Sequence, residues 1–158
     1  MIELISTSCE QTEQFGEKLA KTLSGTEIIA MFGNLGAGKT AFTRGLCRGL
    51  GVTNNVCSPT FAIVNEYEGK FRVFHFDMYR VSTIDDLHST GYFDYLDAGV
   101  LVIEWSENVE SILPEDAIRV TIKYGTAENE RIICVEWANL SENFSDGLLG
   151  KGRICSAR

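Results

Sequence analysis

Basic residues are in short supply. Lysine and arginine together number 14 against 22 aspartates and glutamates, a formal net charge of −8 over 158 residues. A protein that grips a phosphate backbone unaided needs basic surface, so a free nucleic-acid binder is disfavoured. Histidine is scarcer still, at 2, and the 5 cysteines (Cys9, Cys47, Cys57, Cys134 and Cys155) include no pair two or three residues apart. Neither a zinc ligand pair nor a disulfide framework is legible, so no zinc is expected and the thiols suit a reducing compartment. The longest apolar run, Ala98 to Ile103, falls far short of the roughly 20 residues that span a bilayer. The first twenty residues hold no basic stretch followed by an apolar core, so they do not read as a secretory signal. The expectation is a cytoplasmic protein with no membrane partner.

What is present reads as one globular domain. Hydrophobic residues make up 44% and charged residues 23%, which suits a soluble chain long enough to bury a core. The boundary falls near Asn139. Residues 1–138 carry the patterned segments, and 139–158 are polar and glycine-rich with Lys151, Arg153 and Arg158, read as a flexible C-terminal tail.

Met1 to Ile5 reads as a short strand. Ser8 followed by Gln11 resembles a capping box, after which Phe15, Leu19 and Leu23 line one helical face. Glu27 to Phe32 is apolar without alternation, as in a strand buried on both faces, and Val100 to Ile103 is a second such strand. A helix is expected from Lys39 to about Leu50. Ala62–Tyr67 with Phe71–Phe76, and Ile118–Tyr124 with Arg131–Trp137, read as hairpins, and Asp85–Leu96 as a helix broken near Gly91. The fold class expected is α/β, a three-layer P-loop NTPase-like arrangement around a mixed, mainly parallel sheet with added antiparallel hairpins.

The segment Gly33 to Thr40, GNLGAGKT, fits G-x-x-x-x-G-K-[ST] in full, between a strand and a helix. Its glycines let backbone N–H groups face an anion at a helix N-terminus. Lys39 adds a charge for the outer phosphates, and the Thr40 hydroxyl suits Mg²⁺. Such a loop works with a carboxylate that holds the metal's shell. Two strands end in one, VFHFD at Asp77 and VLVIE at Glu104, and either could serve. Thr60, within Ser58-Pro59-Thr60-Phe61, is placed either to reach a metal as switch threonines do or to form a Pro-fixed turn. His75 shares a side with Asp77, Trp105 could pack by a nucleotide or in the core, and Arg44 and Arg80 are the arginines near these motifs. No N-K-x-D motif is present, which disfavours a GTPase, and no arginine-rich lid segment is present, which weakens a stand-alone kinase.

Taken together, GNLGAGKT with Phe42 and Arg44-Gly45, SPTF at Ser58–Phe61, HFDMYR at His75–Arg80 and IEW at Ile103–Trp105 resemble the TsaE (YjeE) family. This is the small bacterial ATPase component of tRNA threonylcarbamoyladenosine (t6A) biosynthesis. Thr12 and Leu113-Pro114 match as well, and the resemblance runs from about residue 2 to 137. It implies binding of ATP or ADP with Mg²⁺ and weak hydrolysis alone. It also implies docking on the TsaB–TsaD heterodimer, so that tRNA is reached only indirectly. Residue by residue, it implies Thr40 and Glu104 on the metal, Lys39 on the β- and γ-phosphates, and Thr60 and Asp77 in a switch and catalytic network. Asn34, Leu35, Gly36, Ala37, Gly38 and Ala41 complete the nucleotide loop. Thr12 and Arg131 would lie toward the adenine, with Trp105, Tyr79 and Arg80 by the nucleotide or the partner face. The alternatives are a stand-alone small P-loop kinase and a nucleotide-sensing scaffold without turnover.

Overall fold

The two unalternating apolar runs become the middle of a sheet. The structure is a computed structural model that describes residues 1–138; the expected tail at 139–158 lies outside the described residues. Strands β1 (Ile2–Ser6), β2 (Ile28–Phe32), β3 (Val64–Glu68), β4 (Arg72–Asp77), β5 (Val100–Glu104), β6 (Ile118–Tyr124) and β7 (Arg131–Glu136) form one sheet in the order β1-β7-β6-β2-β5-β4-β3. The central four, β6, β2, β5 and β4, run parallel. Antiparallel pairs flank them on both sides: β3 on β4, β7 on β6, and β1 on β7. The C-terminal ends of the four parallel strands therefore share one edge, where open α/β sheets place ligands.

Helices α1 (Cys9–Ala20) and α2 (Lys39–Gly49) cover one face and α3 (Ile84–Ser89) lies on the other. A 3-10 turn over Tyr92–Asp94 and a kinked 3-10 segment over Ser106–Ile112 extend the second layer. The core divides accordingly. Phe15, Leu19, Phe42 and Leu46 pack with Met31, Val73, Val102 and Val120, while Phe74, Phe76, Leu101 and Ile103 pack with Leu87, Tyr92 and Val109. Alternate residues of a strand face opposite sides, so β4 and β5 feed both cores. Helices α1 and α2 cross closely, since a Cβ on Gly16 would meet the backbone of Phe42, and one on Gly45 the backbone of Glu13.

Several local expectations shift. Ser8 caps α1 by accepting from Gln11 N at 3.1 Å, but Gln11 Oε1 takes the N–H of Thr7 rather than that of Ser8. The complete capping box lies at α3, between Thr83 and Asp86. The expected helix Asp85–Leu96 is α3 plus a 3-10 turn, separated by Gly91 at φ 73°. β3 begins at Val64, later than expected, because residues 59–63 are spent on a turn in which Ile63 N bonds Pro59 O at 2.8 Å. Among the described residues no helix is long and apolar enough to cross a membrane.

Candidate functional site

The glycine-rich loop follows β2 and delivers the chain into α2. Gly33 has φ 137° and its missing side chain lets the loop lie against the Ile122 carbonyl. Gly38, at φ 111°, is the N-cap of α2 and offers no side-chain cap. The first N–H groups of α2 are thus left for an anion. Three side chains from distant segments brace the loop. Glu107 accepts from Gly33 N at 2.7 Å, Tyr124 donates to Leu35 O at 2.6 Å, and Arg131 Nε donates to Ala37 O at 3.1 Å.

Lys39 is buried at the start of α2. Its Nζ donates to the Gly33 carbonyl and, at 3.1 Å, to the Asn34 carbonyl, and it stands 3.9 Å from the centre of the Trp105 ring. Burial pushes the ammonium below the usual lysine range, opposed by the carboxylates of Glu104, Glu107 and Asp77.

The two strand-end carboxylates are neighbours. Asp77 of β4 and Glu104 of β5 are register partners and point to the α1–α2 face. Both Glu104 oxygens accept from Thr40 Oγ1, at 3.1 and 3.2 Å, and Oε1 also meets His75 Nε2 at 2.8 Å. Asp77 Oδ2 accepts from Ser58 Oγ at 2.9 Å and Thr60 Oγ1 at 3.3 Å, and Oδ1 from Tyr79 N at 2.9 Å. A cleft of about 420 Å³ opens over them, lined among others by Gly38, Lys39, Thr40, Ala41, Tyr79 and Trp105. Two bulky residues flank it with left-handed backbones, Ile63 at φ 70° and Trp105 at φ 59°. Such conformations are outliers for large side chains and gather at functional sites.

The family model for TsaE, "Threonylcarbamoyl adenosine biosynthesis protein TsaE", matches residues 6–133. The chain belongs to the TsaE family. Curated TsaE relatives include that of Haemophilus influenzae, 41% identical over 139 residues, covering 82% of this chain and 86% of its own. The relative from Aquifex aeolicus is 43% identical over 108 residues (66% and 77%), and that from Treponema pallidum 33% over 129 residues (81% and 96%). The crystal structure of Bacillus subtilis YdiB superposes with a TM-score of 0.73 at 30% identity, covering 94% of this chain and 95% of that one.

Within this TsaE-family chain, the structure brings most of the sequence-derived residues together. Leu35, Gly36, Gly38, Lys39, Thr40, Ala41, Thr60, Asp77, Glu104 and Trp105 all line the cleft. Ala37 and Asn34 belong to the loop without lining it: Ala37 is buried, and the Asn34 carbonyl accepts from Ala37 N and Lys39. Thr12 also stands behind the loop. Its hydroxyl is engaged by Ser6 Oγ at 2.8 Å, and its methyl lies 3.9 Å from where a Cβ on Gly38 would stand. Arg131 sits on the Tyr124 ring and braces Ala37. Arg44 is paired to Glu13 at 2.7 Å and Arg80 lies over the exposed Phe61 ring. Sequence reasoning missed Glu107 and Tyr124. Tyr124 ends a strand at the loop's own edge and Glu107 follows Glu104 by three residues, so position relative to the strand ends was the available signal.

Proposed function

We propose that this chain is an ATPase of tRNA threonylcarbamoyladenosine formation, one that binds ATP or ADP with Mg²⁺ and drives or resets the TsaB–TsaD complex in the cytoplasm. The observation that carries the reading is the Thr40–Glu104 contact at the mouth of the glycine-rich loop. It pairs a hydroxyl at the helix start with a strand-end carboxylate, a hard-oxygen donor set. Among the described residues no three His, Cys, Asp or Glu gather to hold a metal by themselves. That suits Mg²⁺, which takes one or two carboxylates and fills its shell with water and phosphate oxygens.

In this reading the first N–H groups of α2 and Lys39 bind the outer phosphates, and Thr40 and Glu104 hold the metal. Bound Mg²⁺ supplies neutralisation of the β- and γ-phosphate oxygens during attack by water. Asp77 anchors the Ser58–Thr60 segment, so filling of the cleft and the position of that segment are linked. Lys39 is the one cationic side chain among the residues lining the cleft. Arg44 and Arg80 are engaged elsewhere, and among the described residues no arginine lines the cleft. An arginine finger is worth about 10³–10⁵ in rate, so hydrolysis by the chain alone is slow and a partner supplies the difference. A stand-alone kinase needs an acceptor pocket beside the phosphates. A second cleft among the described residues, lined by Ile28, Tyr92, Asp116 and Trp137, opens at the opposite end of the strands and shares no residue with the first. The acidic chain leaves tRNA to its partners.

The test is ATP hydrolysis by the protein alone and with the TsaB–TsaD pair. Stimulation by the pair is expected, and its absence overturns the reading. Product mass after incubation with nucleosides and sugars tests the kinase alternative.

A further inference from the structure

We propose that His75 is a positioning residue that fixes the orientation of the Glu104 carboxylate. The inference rests on the reading of Thr40 and Glu104 as the metal pair. His75 lies near the end of the interior strand β4 and is 0% exposed. Its register partners are Val102 on β5 and Asn65 on β3, Val73 and Asp77 share its side of the strand, and the Tyr67 ring lies 6.5 Å away, centre to centre. Its hydrogen bond runs from Nε2 to Glu104 Oε1 at 2.8 Å. The other ring nitrogen, Nδ1, is buried with no hydrogen-bond partner.

This asymmetry selects the tautomer. A carboxylate accepts and does not donate, so the nitrogen that faces it must carry the proton. With the proton on Nε2, Nδ1 is a lone pair without a donor. With the proton on Nδ1 instead, the core would hold an N–H with no acceptor, and two acceptors would face each other at 2.8 Å. Placing the proton on Nε2 gives Glu104 its donor and leaves no ring N–H buried without an acceptor.

The consequence for Glu104 is directional. Thr40 reaches the carboxylate from the loop side, contacting both oxygens, and His75 reaches it from inside the sheet, contacting Oε1 alone. Two donors on two separate elements hold the plane of the group. His75 thereby fixes which way the carboxylate faces Thr40 and a cation beside it. Partners of this kind behind a metal ligand alter metal affinity about 10–100-fold when removed.

Two measurements test this. The first is the ¹⁵N signature of His75 in the protein without nucleotide, by long-range proton–nitrogen correlation. Protonation at Nε2 is expected and protonation at Nδ1 overturns the proposal, whatever the ATPase reading's fate. The second compares H75L and H75Q, the glutamine amide standing in for the Nε2–H donor. Calorimetric ATP binding is measured with and without Mg²⁺, alongside thermal unfolding. H75L is expected to raise the Mg²⁺ concentration for half-maximal enhancement of binding about 10–100-fold, with Mg²⁺-free binding unchanged and H75Q largely restored. Wild-type Mg²⁺ dependence in H75L, or equal defects in both variants, overturns the positioning role. If wild-type protein shows no Mg²⁺-dependent binding, the metal reading itself fails and the proposal with it, while the tautomer result stands separately.

Discussion

Asp77 and Glu104 are register partners on adjacent parallel strands, yet different elements hold them. Ser58 and Thr60 engage Asp77, whereas Thr40 and His75 engage Glu104. One carboxylate belongs to the segment after α2 and the other to the start of α2.

That division separates two substitutions. Glu104→Gln should keep the fold and lower Mg²⁺-dependent ATP turnover by at least about 100-fold, since a direct ligand matters more than its supports. Asp77→Asn should instead release the Ser58–Thr60 segment, read as faster amide exchange over residues 58–63, with a smaller change in Mg²⁺ affinity. Normal turnover in Glu104→Gln would move the metal to Asp77.

Lys39→Ala should weaken ATP binding about 10–150-fold, the worth of hydrogen bonds to a charged group at about 1.5–3 kcal/mol. Its melting temperature should fall as well, because the carbonyls of Gly33 and Asn34 lose their ammonium donor. Equilibrium titration alongside thermal unfolding checks both statements.

Gly45→Ala should destabilise the protein by at least about 2 kcal/mol. The new Cβ would meet the backbone of Glu13, which cannot turn away as a side chain can. Alanine's better helix propensity, about 1 kcal/mol, does not offset this. Denaturant unfolding provides the number.

Cys47 is buried, and burial pushes its thiol up to about 12 from an ordinary 9.0. Below about pH 9 folded and unfolded chains both hold the proton. Between there and about 12 the unfolded chain loses it while the folded one keeps it, so stability falls as pH rises, by up to about 1.4 kcal/mol per pH unit. The difference in slope between the parent and Cys47→Ala isolates it. In the native protein a thiol reagent should label exposed Cys9 and Cys57 but not Cys47.

Much of the centre was readable from sequence because its signals are local. The loop pattern, the apolar runs of β2 and β5 and the carboxylates ending β4 and β5 all lie within a few residues of the features that mark them. What escaped depends on distant segments. β1 reads as an isolated strand, and nothing near it announces its pairing with β7, Ile2 against Val135. Glu107 and Tyr124 support the loop across 74 and 89 residues of sequence. The late start of β3 reflects the turn at 59–63, where Ile63 takes a conformation its side chain disfavours.

The engagement of Lys39 has a consequence for how the cleft is filled. Its ammonium has three donors, and the chain already occupies them with the carbonyls of Gly33 and Asn34 and the face of Trp105. Any anion entering must take that cation from its own loop, so binding is an exchange of partners rather than an addition. The free energy of the exchange is the difference between two sets of contacts, and the indole of Trp105, losing or keeping its cation, becomes an optical reporter of which set prevails.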